Sequence, residues 1–110
     1  MNKDSSMKID RSAGAEVISA MAVAVGAKLG VAVSGCVWDM GADLSHEYAH
    51  RLEISTATNT VRVYFPDLDL TTSGNTSRKE ASRQERIEDR LHRAVTQLVT
   101  RVPAPTYMTS

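Results

Sequence analysis

Apolar residues along this chain recur with two different spacings, and the points where the spacing changes divide it into elements. From Ser12, which suits an N-cap, to about Leu29, residues Ile18, Met21, Ala22, Val25 and Leu29 share one side at helical spacing, and Gly30 is placed to end the helix. The other side is apolar too, carrying Val17, Ala20, Val23, Ala24 and Ala27 with only Glu16, Ser19 and Lys28 as relief. A helix apolar nearly all round is usually buried on more than one side, which predicts a deep central position or a dimer contact. The alternative is an Ala-rich helix left half exposed, since exposed Ala costs little.

After Gly30, the β-branched and aromatic residues Val31, Val33, Val37 and Trp38 predict a strand to about Asp39, and Met40 to Ser45 reads as loop. Residues 47 to 56 then alternate, with Tyr48, His50, Leu52 and Ile54 on one face. A short polar loop containing Asn59 separates them from Val61, Val63 and Phe65, which alternate again, so an antiparallel hairpin is predicted. Pro66 ends it, and Asp67 to Thr76 reads as a polar loop. From about Ser77 to Val102, Ile87, Leu91, Ala94, Val95, Leu98 and Val102 form one apolar stripe, stopped by Pro103 and Pro105. The expected fold is α+β: a two-layer sandwich of helix-strand-strand-strand-helix order with a three-stranded antiparallel sheet. Residues 1–11 form a polar arm, 12–102 the single domain and 103–110 a tail.

Composition changes this picture little. A chain of 110 residues with 42% apolar and 24% charged residues is ordinary for one globular domain. No run approaches the roughly 20 apolar residues of a bilayer span, so no membrane association is expected. Cys36 alone cannot form an internal disulfide and fits a reducing compartment. Val33-Ser34-Gly35-Cys36 is similar to a bacterial lipoprotein cleavage box, but Glu16 and Lys28 interrupt the uncharged stretch that such a signal needs, so a cytoplasmic location is expected. Charge is balanced globally and uneven locally: residues 1 to 75 hold six Lys/Arg against nine Asp/Glu, and residues 76 to 110 hold seven against four.

Two segments carry candidate chemistry. His46-Glu47-Tyr48-Ala49-His50 resembles the H-E-x-x-H motif of zincin metallopeptidases, and Glu85 to Asp89 is similar to the third-ligand helix of the gluzincin group. That resemblance implies His46 and His50 as zinc ligands, Glu47 as general base, Glu85 as third ligand and Asp89 as a partner of one histidine. It requires a helix at 46–50. On a strand the two histidines are about 13 Å apart, too far for one ion. Arg51 and Asp43 depart from the family's pattern, and the strict alternation of residues 47 to 56 favours the strand, with His50 half-buried. No metal, cofactor or catalytic residue is therefore expected, and the minimal zinc peptidase stands as the alternative. Asp67 and Asp69 could together hold a hard cation only weakly.

The second segment is the last helix, where Lys79, Arg83, Arg86, Arg90, Arg93 and Arg101 fall within a wedge of roughly 80° at 100° per residue, while Glu85, Glu88 and Asp89 lie outside it. Such a stripe suits phosphates or an acidic protein surface. Its arginines could equally cover the core edge and pair with acids such as Asp67 and Asp69. The element order, with Ser77-Arg78-Lys79-Glu80-Ala81 opening this helix, is also similar to the double-stranded-RNA-binding domain, which implies phosphate contacts for Arg78 and Lys79. The long loop before the helix, the helix's length and the missing paired glycines depart from that family. The reading from sequence is a small non-catalytic interaction module, expected to be a homodimer. It binds an acidic protein surface or nucleic acid through the Arg-lined helix.

Overall fold

The computed structural model describes residues 3–39 and 49–99. Helix α1 spans Lys3–Leu29, strands β1 (Gly35–Asp39), β2 (Ala49–Ser55) and β3 (Thr60–Pro66) follow, and helices α2 (Asp67–Ser73) and α3 (Ala81–Thr96) complete the order. The strands form one antiparallel sheet in the order β1-β2-β3, so β1 and β3 are its edges. The expected α+β architecture is present, with one helix more than the sequence pattern predicts.

Alternation decides which side of the sheet is wet. Cross-strand pairing sets Trp38 opposite Leu52 and Leu52 opposite Val63, with Cys36 opposite Ile54 and His50 opposite Phe65. These residues share the face toward the helices, where Leu52, Ile54, Val63 and Phe65 are buried with Ile18, Ala22, Val25, Leu70, Ile87, Leu91 and Val95. The other face carries a ladder of charges in register: Arg51 lies 3.3 Å from Asp39 and 3.9 Å from Glu53, and Arg62 lies 2.9 Å from Glu53. The sheet's outer basic residues are thus matched by its own acids. Loop Thr56–Asn59 closes the hairpin, with the Thr56 hydroxyl accepting from the backbone N–H groups of Thr58 and Asn59.

Helix α1 ends as expected at Gly30, whose φ of 74° lies in the left-handed region. The Val31 N–H reaches back to the Gly26 carbonyl and the Gly30 N–H to that of Ala27, a Schellman closure. Its start differs from the expectation, because residues 3–11 belong to the helix rather than to a polar arm. The cause is visible in its partners: Asp10 accepts from the Asn75 side chain at 3.0 Å, and Arg11 makes a two-pronged ion pair with Asp67. One side of α1 packs through Ala15, Ile18, Ala22 and Val25, while Ala20, Val23, Ala24 and Ala27 are exposed. Ile9–Leu29, with a mean hydropathy of 1.3, is by length and composition apolar enough to cross a membrane, contrary to the sequence expectation; 33% of that window is buried in the fold.

The segment 67–76, expected as loop, contains α2. Pro66 supplies an extended residue just before the helix, and Asp67 and Asp69 sit in its first turn, where carboxylates suit the helix dipole. Its interior rows are filled by small hydroxyl residues: Thr71 and Thr72 are buried, with their hydroxyls returned to main-chain carbonyls one turn back. The last helix is shorter than expected. Turns follow at 97–99, and the proposed extension to Val102 and the tail 103–110 lie outside the described residues.

Candidate functional site

Polar side chains gather at two places, one inside the fold and one on its surface. The interior cluster is built by three elements. Alternation along β2 turns His50 inward, where it is 5% exposed and needs a polar partner. Asp67, at the start of α2, provides one: His50 Nε2 lies 2.7 Å from Asp67 Oδ1, and Arg11 of α1 grips the same carboxylate through Nε and Nη2. Burial pushes the Asp67 carboxyl upward, but its hydrogen bonds to Arg11 and His50 outweigh that and hold it below the ordinary carboxylate range. Asp67 is therefore an ionised acceptor, and His50 Nε2 carries the hydrogen between them.

Immediately beside this cluster, buried Asp69 accepts from Arg83 Nη1 at 2.8 Å, joining α2 to α3. The Gln84 amide donates to the Ser73 hydroxyl at 3.0 Å across the same joint. Both carboxylates of Asp67-Leu68-Asp69 are thus already paired with arginines of this chain, which argues against the weak cation site read from the sequence. Trp38 is fixed by its indole N–H donating to the Ser19 hydroxyl at 2.8 Å, and its ring lies 5.9 Å from that of Phe65.

For the zincin-like segment, His46, Glu47 and Tyr48 lie outside the described residues, while Ala49 and His50 are extended in β2. Residues 49 and 50 therefore do not continue a helix through the motif, and His50 presents Nε2 to Asp67. Glu85 and Asp89 are exposed on α3. Among the described residues no group of three or more His, Cys, Asp or Glu is placed to hold a metal ion.

The basic stripe of α3 divides under the structure. Arg83 is committed to Asp69. Arg90 reaches over the sheet edge, donating from Nη1 to the Tyr64 carbonyl at 2.9 Å, with its guanidinium carbon 5.6 Å from the centre of the Phe65 ring. Arg86 and Arg93 are exposed and, among the described residues, have no acid within salt-bridge distance. Lys79 is exposed just before the helix, and Arg101 lies outside the described residues. On the opposite side of α3, Glu88 lies 3.9 Å from Lys28 of α1. Ser77 and Arg78 sit in a turn fixed by the Asn75 side chain, and α2 intervenes between β3 and α3, a topology unlike the double-stranded-RNA-binding order.

The pairs His50–Asp67 and Arg11–Asp67 were not assigned from sequence, since 56 residues separate Arg11 from its acid. A signal for the first existed: a histidine on the apolar face of an alternating strand demands a partner. Comparison with protein-family models, curated proteins and solved structures finds no match for this chain.

Proposed function

We propose that this protein is a small binding module whose working surface is the outward basic face of α3 and whose partner is anionic, either an acidic protein surface or nucleic acid. One observation carries the reading: among the described residues Arg86 and Arg93 stand exposed on one side of α3 with no carboxylate within 4 Å, whereas most arginines elsewhere in the fold have one. Arg11, Arg51, Arg62 and Arg83 each lie within 4 Å of a carboxylate, so pairing within the fold accounts for them. Lys79 extends the free basic surface toward the N-terminus of the helix, and Arg90 lies between the two free arginines. A cytoplasmic location and a homodimer through the exposed small-residue side of α1 belong to the same proposal.

Salt dependence tests it. Binding to duplex DNA is expected to fall linearly in log salt with a slope of about −0.9 per phosphate neutralised, and binding to an acidic protein less steeply. Changing Arg86 and Arg93 together to Gln should weaken either interaction at least tenfold while leaving the unfolding midpoint unchanged. Undiminished binding by this variant would refute the reading.

A further inference from the structure

The free basic side chains border something more specific than a charged helix. Strand β3 is a sheet edge, and its backbone phase follows from the hairpin. The Thr56 N–H donates to the Asn59 carbonyl, so the pairs bonded across the hairpin continue as Ile54/Val61, Leu52/Val63 and His50/Phe65. Thr60, Arg62 and Tyr64 consequently direct their N–H and C=O groups away from β2, toward the open edge. The Tyr64 carbonyl confirms the phase, since it is the group Arg90 reaches from outside. Long edges of this kind are templates for another strand.

Helix α3 runs alongside this edge. Its end residues Gln97 to Val99 lie beside Asn59 to Val61, Arg90 lies beside Tyr64, and Arg83 lies against Asp69 just past the strand. The order Arg86, Arg90, Arg93 thus follows β3 backward, on the helix side of the open edge. From Arg86 to Arg93 the helix advances about 10 Å, against about 13 Å for three alternate residues of an extended chain, a difference within the reach of the long arginine side chains.

We propose that the open edge of β3 accepts an extended acidic peptide segment as a fourth strand, with its alternate carboxylates facing Arg86, Arg90 and Arg93. The inference rests on the basic-face reading above and names its partner. Backbone bonds to Arg62 and Tyr64 supply affinity that is independent of sequence, and the arginines select acids at every second position. The Tyr64 carbonyl has two lone pairs and can serve Arg90 and an incoming N–H together. A second copy of this chain fits the edge poorly: pairing β3 with β3 would set two basic helix faces side by side. Nucleic acid would use the arginines and its phosphates could accept from edge N–H groups, but they offer no donor to the edge carbonyls.

The experiment uses the full chain and three probes: a labelled peptide of four Glu-Val repeats, the same peptide N-methylated on the backbone at alternate residues, and duplex DNA. Fluorescence anisotropy should show the plain peptide binding at least tenfold more tightly than the methylated one, which has equal charge. Amide exchange at Arg62 should slow at least tenfold with the peptide bound, while Val63, already paired to β2, changes little. Equal binding of both peptides by the parent, lost on Arg86→Gln/Arg93→Gln, would overturn strand addition and leave the basic-face reading standing. Peptide binding indifferent to the arginine changes would overturn both. No peptide binding, or duplex DNA bound with no change at the Arg62 amide and more tightly than the peptide, would also overturn the strand proposal.

Discussion

Replacing Gly14 by Ala sets two effects of opposite sign against each other, and the structure decides between them. Within a helix such as α1, Ala is favoured over Gly by about 1 kcal/mol, so local propensity alone makes Gly14→Ala stabilising. The position faces α2, however, and a Cβ built there would meet the Leu70 carbonyl oxygen at 1.7 Å, with the Leu70 carbonyl carbon at 2.5 Å. The obstacle is backbone, not the end of a flexible side chain. Relief requires the two helices to separate by more than about 1 Å, which forfeits a large part of their dispersion contact. Separation also begins to uncover Leu70, which is fully buried and whose burial contributes about 1.5–3 kcal/mol. It strains the Arg11–Asp67 and Asp10–Asn75 links across the same joint as well. Overpacking of this kind costs about 1–3 kcal/mol and occasionally more. Adding loss of about half of the Leu70 burial and subtracting the propensity gain leaves a destabilisation of about 1–3 kcal/mol. Urea unfolding followed by circular dichroism should show the midpoint falling by about 0.5–2 M at the slope usual for a small domain. Ser12→Ala, on an exposed site of the same helix, should stay within about 0.5 kcal/mol of the parent. Gly74→Ala should behave like Gly14→Ala, since its Cβ would meet the Asp10 carbonyl oxygen at 2.0 Å. The double variant should cost less than the sum because one separation relieves both clashes. A Gly14→Ala protein as stable as the parent would refute the close α1–α2 contact.

Acid unfolding should report Asp67. Its folded-state pKa is lowered, so its contribution is present above the unfolded carboxylate value of about 4 and is lost as pH falls through the folded value; Asp67→Asn should lower stability at neutral pH and flatten that acid limb, and an unchanged pH profile would contradict the assignment. Burial pushes the Cys36 thiol pKa upward, so a disulfide reagent at pH 8 should react with the folded protein at least tenfold more slowly than with the urea-unfolded chain. Equal rates would show that Cys36 does not sit against α1.

How much of this was legible in the sequence depended on whether an element's signal was local. The hairpin was readable because Leu52, Ile54, Val63 and Phe65 alternate with charged or polar neighbours, and the residues facing out pair among themselves in register. Gly30 was readable because a Schellman closure needs only one residue with positive φ after an apolar run. Helix α2 was not, since Leu70 is its one large buried apolar residue and its remaining buried positions are Asp69, Thr71, Thr72 and Ser73. Those residue types ordinarily mark turns. They are tolerated inside because each finds a partner in another element or one turn back, which no periodicity in the segment announces.

The same distinction governs the basic stripe. Sequence geometry places all its members within one wedge of α3, but a wedge does not say which charges are already spent. Arg83 meets an acid from α2 and Arg90 a carbonyl from β3, both supplied by chain far from the helix, so their roles became separable only when the tertiary contacts were known. What remains outward among the described residues, Lys79, Arg86 and Arg93, is a smaller charge than the sequence suggested but a better located one. Arg90 ties it to the edge of β3 by donating to the Tyr64 carbonyl, so that a charged helix borders a strand edge whose other outward backbone groups have no partner among the described residues. Under the strand-addition proposal, the partner using both offers anionic groups together with backbone donors and acceptors, which an acidic peptide does, whereas a phosphate chain offers only acceptors.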